Sequence, residues 1–448
     1  MTVKIDKHFY KTLFFVALPI TLQNLTQSFV NMLDTIMVGQ LGSIEIAAVG
    51  LGNQIFFILN MILFGIASGG SIFISQYWGK KDLPNIHKIL GLLLFLASIV
   101  SLLVTLFACI IPETLISLYS NDKQVISVGG HYLRIVAISY PITAISFILG
   151  QSFRSTEHVT LPMISTAISL VINGILNFLL IFGIGIFPKL GVLGAAIATI
   201  VSRCLEFFIL FFVAQKRKYE VLSNLKELYR FTMYSVQRYI KIALPVILNE
   251  TFWSLGISMQ NSIFAKLNTD AITAFNITGT ISQLTWVFFI GVGNAAAIII
   301  GKQIGAGNND TAYTYANRFS ILMPIMSVFI GILLIPLSSI LPFLFKVSPS
   351  ILNQASAMLL VMLAIYPLKS FNLCFVVGIC RAGGDTVFAA ICDVAFMWCI
   401  ALPLAAIAGL HFHLAPWIVY LCIVSEDFFK TIMGIWRIKS KKWLHNVT

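Results

Sequence analysis

Long apolar runs, broken only by short polar turns, fill the chain from end to end. Twelve of them reach the ~20 residues a membrane-spanning helix needs. They centre near residues 24, 59, 100, 141, 172, 202, 250, 287, 330, 366, 397 and 426. The longest polar segment runs roughly from Gln215 to Lys241 and falls in the middle. The pattern predicts an all-α membrane protein of twelve transmembrane helices, with no water-soluble domain. Lys4, Lys7 and Lys11 lead straight into the first run without a small-residue cleavage site. That run is therefore expected to stay in place as the first span.

The pattern also repeats. Ala17-Leu-Pro19-Ile recurs as Ala243-Leu-Pro245-Val, and Tyr140-Pro141 as Tyr366-Pro367. Gln76 with Gly79 recurs as Gln303 with Gly305, and Arg154 as Arg381. These pairs lie 226 or 227 residues apart, half the chain. Six helices per repeat is an even number, so the two halves share one orientation and form a parallel repeat. The expected organisation is a six-helix lobe over 1–214, a cytoplasmic linker over 215–237 and a second, pseudo-symmetric six-helix lobe over 238–448. Two like lobes suggest a central cleft and alternating access. Prolines 19, 141, 245, 367 and 403 inside apolar runs suit helices that kink.

Composition agrees: 58% of residues are hydrophobic and 10% charged, against about 25% charged in soluble proteins. The net charge of +12 raises the question of nucleic acid. Topology accounts for it instead. Of the 29 Lys and Arg, four (Lys123, Lys189, Lys266, Lys346) fall in loops on one side. Four more (Arg134, Arg203, Lys369, Lys430) lie within or near spans, and the other 21 share the side of both termini. By the positive-inside rule both termini are expected in the cytoplasm, in a multi-pass protein of the cell membrane. No basic patch interleaved with aromatics is left for a nucleic acid. The seven cysteines lie in apolar stretches and read as small hydrophobes.

Asp34 stands within an otherwise apolar run. A carboxylate there is costly, and such acids mark ion or proton pathways. Asn173 and Asn177 in the fifth helix are spaced i, i+4 and share a face. The sixth helix begins Gly191-Val-Leu-Gly194 and carries Thr199. A carboxylate, two amides and a hydroxyl are hard oxygen ligands, suited to Na⁺ or, through the carboxylate, to a proton. The amides could equally hold neighbouring helices together.

Glu250 and Asp393 are the acids of the other half, Asp393 close to Phe396 and Trp398. Acid plus aromatic could receive an organic cation; both could equally be structural. The repeat equivalent of Asp34 is Gln260. Arg203 with Glu206, and Asp427 with Lys430, are spaced to neutralise each other; Glu426 has no evident partner. No GxxxxGK[ST] loop, no His-Glu-x-x-His and no Ser, His and Asp cluster is present, so neither ATP hydrolysis nor another enzymatic activity is expected. No cofactor is expected beyond a coupling ion.

Several motifs together resemble the multidrug and toxic compound extrusion (MATE) family, over the whole chain. They are Asp34-Thr-Ile-Met-Val-Gly39-x-Leu-Gly42, Gln76-x-x-Gly79-x-x-Asp82, Asn173-x-x-x-Asn177, Gly191-Val-x-Gly194-Ala-Ala-x-Ala-Thr199 and Arg381-Ala-Gly-Gly-Asp385-Thr. The resemblance implies twelve helices in two lobes and export of cationic, amphipathic drugs in exchange for Na⁺ or H⁺. It also implies that Asp34 works with Asn173, Asn177 and Thr199 as the cation site. The chain departs from the best-known bacterial branch, which has an acid on the seventh helix eight residues after the proline and another on the tenth. Here Trp253 holds the first position and Lys369-Ser-Phe-Asn372 the second region. Glu250, Asp393, Trp253 and Gln260 remain as substrate-binding candidates. The partners expected are small organic cations and membrane lipids, with one chain sufficient for function. A flippase for lipids or lipid-linked precursors is the alternative. Such a protein should line its path with several Arg and Lys. An uncoupled channel or receptor is the third reading.

Overall fold

The computed structural model describes residues 7–336 and 347–448, and among these every regular element is helical. Lys4 and Lys346, counted above in the charge asymmetry, lie outside the described residues. The spans are α1 (Lys7–Gly39), α2 (Ser43–Lys80), α3 (Leu83–Ile110), α4 (Lys123–Ser155), α5 (Thr160–Phe182) and α6 (Val192–Lys216). They continue with α7 (Met233–Leu267), α8 (Thr269–Gly305), α9 (Asn309–Leu334), α10 (Pro349–Cys380) and α11 (Thr386–His411). These 11 are long and apolar enough to cross a membrane. The twelfth run forms two pieces, α12a (Pro416–Val424) and α12b (Glu426–Lys439). Its second piece opens with Glu426, Asp427 and Lys430, all buried, and that charge lowers its hydropathy.

Two compact units emerge. One is Leu22–Ala243, hereafter the first unit. The other, the second unit, joins the residues up to Thr21 to Leu244–Thr448. Each unit therefore takes part of both α1 and α7, and the changeovers lie next to Pro19 and Pro245.

In the first unit α4 packs against α2, α3 and α6, and α5 lies along α6. Two glycines set the α5–α6 geometry. Gly183 ends α5 in the left-handed region (φ 71°), the usual helix stop. Gly194 faces the α5 backbone so closely that a Cβ would lie 2.7 Å from the Leu180 carbonyl. In the second unit α10 packs against α8, α9 and α12. Pro367 lies inside α10, which widens into a π-type turn over Cys374–Cys380. Membrane helices tolerate such breaks where neighbours serve the freed backbone groups.

Candidate functional site

The first unit assembles its site where the end of α1 meets α5 and α6. Val38 packs with Ile181 of α5 and Ala195 of α6 in one buried cluster. Asp34 lies four residues earlier, on the same face of α1, and so is turned toward the same helices. The Asn177 amide Nδ2 donates to Asp34 Oδ1 at 2.7 Å. Asn173, one turn away, has its amide oriented to satisfy both neighbours. Its nitrogen donates to Asp34 Oδ2 at 3.1 Å, and its oxygen accepts from the Ser202 hydroxyl at 3.3 Å. Both asparagines are buried. Among the described residues no Lys, Arg or His stands within ion-pair distance of Asp34. Asn177 Oδ1 is buried and accepts no hydrogen bond. The carboxylate thus sits among neutral donors, beside an acceptor oxygen that no protein group serves.

Thr199 lies one turn before Ser202 on α6, and its hydroxyl donates to its own helix, at Ala195 O (2.9 Å). Asp34, Asn173 and Asn177 are thus joined directly, whereas Thr199 borders them through Ser202. Ser202 is the member that the sequence reading missed; its i+3 spacing from Thr199 was the available signal. Ser169 anchors the same stretch of α6, donating to Ser202 O at 2.7 Å.

A second polar rung joins α1 to α5 three turns away. Gln23 Nε2 donates to Thr166 Oγ1 at 2.8 Å, and that hydroxyl donates to Glu206 Oε1 at 2.7 Å. Glu206 is paired with Arg203 at 2.9 Å, as their spacing predicts. Both rungs join residues 143 apart in sequence. The two helices therefore keep one register across ~16 Å at 1.5 Å per residue.

The second unit treats its acids differently. Glu250 on α7 pairs with Arg381 at 2.5 Å. Asp393 on α11 pairs with Lys430 at 2.7 Å, and Glu426 meets the same ammonium at 3.2 Å. Two sequence-based pairings are corrected here. Lys430 takes Asp393 and Glu426 rather than Asp427, and Glu426 is therefore not without a partner. Asp427 is held instead by the Asn372 amide at 2.9 Å. At i, i+3 the two side chains can meet, but the α11 carboxylate claims the ammonium. Trp253 is half-buried on α7, next to Phe252, whose carbonyl accepts from Trp398 Nε1 at 3.1 Å. Gln260 is buried on the same helix. Of the four substrate-binding candidates in this unit, the two acids are each neutralised by a cation, and no bond links Trp253 or Gln260 to them.

Comparison with known proteins places this geometry in context. The MatE family pattern matches twice, over residues 19–179 and 245–407. The two matches begin at Pro19 and Pro245, the repeat period found above. An uncharacterized transporter, YisQ of Bacillus subtilis, is 24% identical over 98% of this chain and 96% of its own length. A probable multidrug resistance protein, NorM of Thermotoga maritima, is 24% identical over 97% of this chain and 93% of its own. The outward-facing structure of a multidrug resistance MATE family transporter superposes with TM-score 0.85 at 20% identity, covering 96% of each chain. That likeness confirms the all-helical, two-lobed membrane fold.

Proposed function

The chain belongs to the MatE family of membrane transporters, and from that premise we propose that it is a secondary antiporter. It exports cationic, amphipathic compounds in exchange for Na⁺ or H⁺, with Asp34 as the coupling carboxylate. The observation that carries this reading is the contrast in counter-charge. Glu250, Asp393, Glu426 and Glu206 each face a cation, whereas Asp34 faces two amides. A half-buried carboxylate within a span and without a counter-ion gains most from a cation that arrives and leaves. Asn177 Oδ1 offers the next ligand, and Asn173 and Thr199 complete the polar surroundings. The relatives described as multidrug resistance proteins support the substrate class.

The coupling step follows from the bonds. In its ionised form the carboxylate accepts from both asparagines and ties α1 to α5. A proton or Na⁺ on Asp34 neutralises that acceptor and weakens both amide bonds. α1 is then free to bend next to Pro19, where no backbone N–H is available to close the helix. The rearranged helix binds the organic cation less well, and it is released. Reciprocity is required: if the ion weakens drug binding, the drug weakens ion binding by the same factor. Alternating access, both termini in the cytoplasm, cell-membrane location and function as a single chain complete the proposal.

The test is flux in liposomes. Purified protein is reconstituted, a fluorescent organic cation is loaded, and Na⁺ and H⁺ gradients are imposed separately. Movement driven by one gradient in the wild type and lost in Asp34→Asn supports the reading and names the ion. Equal driven flux in the variant overturns it.

A further inference from the structure

Of the four Lys or Arg residues that the apolar pattern places within or near spans, three are neutralised. Arg134 meets Glu113 at 3.5 Å, Arg203 meets Glu206 at 2.9 Å and Lys430 meets Asp393 at 2.7 Å. Lys369 differs. Among the described residues it has no carboxylate within 4 Å, and its ammonium lies over the Trp286 ring, 5.2 Å from the centroid.

The depth of Lys369 rules out an easy escape to water. It is within about 7 Å of the midpoint of α10, at 1.5 Å per residue. Trp286 is likewise about 25 Å from either end of α8. A lysine near a helix end can carry its head group to the interface, but one at this depth cannot. One residue from Trp286 and three from Lys369, the hydroxyls of Thr285 and Tyr366 are hydrogen-bonded, and both side chains are buried. That contact ties α8 to α10 beside the Lys369–Trp286 pair. Lys369 itself is only half-buried.

We infer that Lys369 and Trp286 form an anion-recognition subsite that receives a single carboxylate or phosphate-type group of an amphipathic aromatic substrate. The indole supplies a flat apolar surface for the ring system, and the ammonium supplies the counter-charge for the acid. One ammonium matches one anionic group, and among the described residues the other three cations of this set are neutralised. The inference rests on the antiporter reading and extends its substrates from pure cations to zwitterions. An anionic lipid headgroup shares this chemistry, so the experiment separates the two sources.

The probes are tetramethylrhodamine, which carries a cationic ring system and a carboxylate, and its methyl ester, which is purely cationic. Binding to the full chain in phosphatidylcholine nanodiscs is read by fluorescence anisotropy. Lys369→Gln is expected to weaken the free acid about tenfold or more, the range for a hydrogen bond to a charged group. The ester should change less than about twofold, since its methylated carboxyl cannot claim the ammonium. Lys369→Arg should keep most of the difference, and Trp286→Phe should weaken both dyes. Equal losses for acid and ester, no loss for either, or wild-type protein that does not bind the acid would overturn the subsite. Discrimination that disappears when phosphatidylglycerol is added assigns the ammonium to a lipid headgroup and overturns the substrate assignment. Failure of gradient-driven flux of the ester would count against the antiporter alone, because this binding difference is measured without any gradient.

Discussion

α1 and α7 are the same helix of the repeat, each with its proline after Ala-Leu, and each carries one acid deep in its apolar run. Their acids are served in opposite ways. Glu250 of α7 meets the guanidinium of Arg381, a closed pair with no net charge to satisfy. Asp34 of α1 meets only amides, and its neighbour Asn177 keeps an acceptor oxygen open. The same contrast holds at the next level. Asp393 and Glu426 share the Lys430 ammonium, while the Asn173 and Ser202 shell around Asp34 is neutral throughout. A paired acid lowers the cost of its own burial and fixes its helices. An acid among neutral donors leaves room for a mobile cation. On this comparison rests the proposal that Glu250, Asp393 and Glu426 are structural acids and that Asp34 is the exchangeable one.

The largest effect is expected at Lys430. Lys430→Met strands two carboxylates, and breaking a buried pair costs about 3–5 kcal/mol per uncompensated charge. The variant should show the largest drop in melting temperature of the purified protein, or fail to accumulate. Arg381→Met strands Glu250 alone and should cost about half as much on the same scale. Adding Glu250→Gln should recover most of that loss, and the double variant should keep a normal ion response. An unchanged melting temperature with the ion response lost would break the comparison, because Glu250 would then be the working acid. Asn177→Ala removes one donor from Asp34 and should cost about 1–3 kcal/mol. Its clearer mark is a shift in the ion concentration for half-maximal exchange. Thr199→Val is the mildest change. The Thr199 hydroxyl donates only to its own helix, so stability should move by less than about 1 kcal/mol. Any effect on ion affinity then isolates its lone pairs as ligands.

Much of this was legible in the sequence because membrane helices leave few choices. Among the described residues eleven of the twelve expected spans follow from apolar run length, the twelfth run falling into two shorter helices, and the repeat follows from Pro19 and Pro245 at a fixed period. Asn173 and Asn177 announced their shared face by i, i+4 spacing. What escaped was partner choice across helices. Nothing local tells Lys430 to prefer Asp393, 37 residues away, over Asp427 on its own helix. Ser202 was overlooked because a lone serine in an apolar helix bonds its own backbone as often as a neighbour. The Gln23–Thr166–Glu206 rung was hidden for a related reason: its register of 143 residues appears only once α1 and α5 lie side by side.

In the proposed antiporter one exchangeable cation binds at Asp34 and opposes the substrate. The most direct measurement is the equilibrium affinity of the purified protein for a purely cationic fluorescent dye, taken across Na⁺ concentration and, separately, across pH. The account predicts that one of the two ions weakens dye binding in the wild type and in Glu250→Gln, and that Asp34→Asn binds the dye with no dependence on either. An ion dependence that survives in Asp34→Asn and vanishes in Glu250→Gln would contradict it.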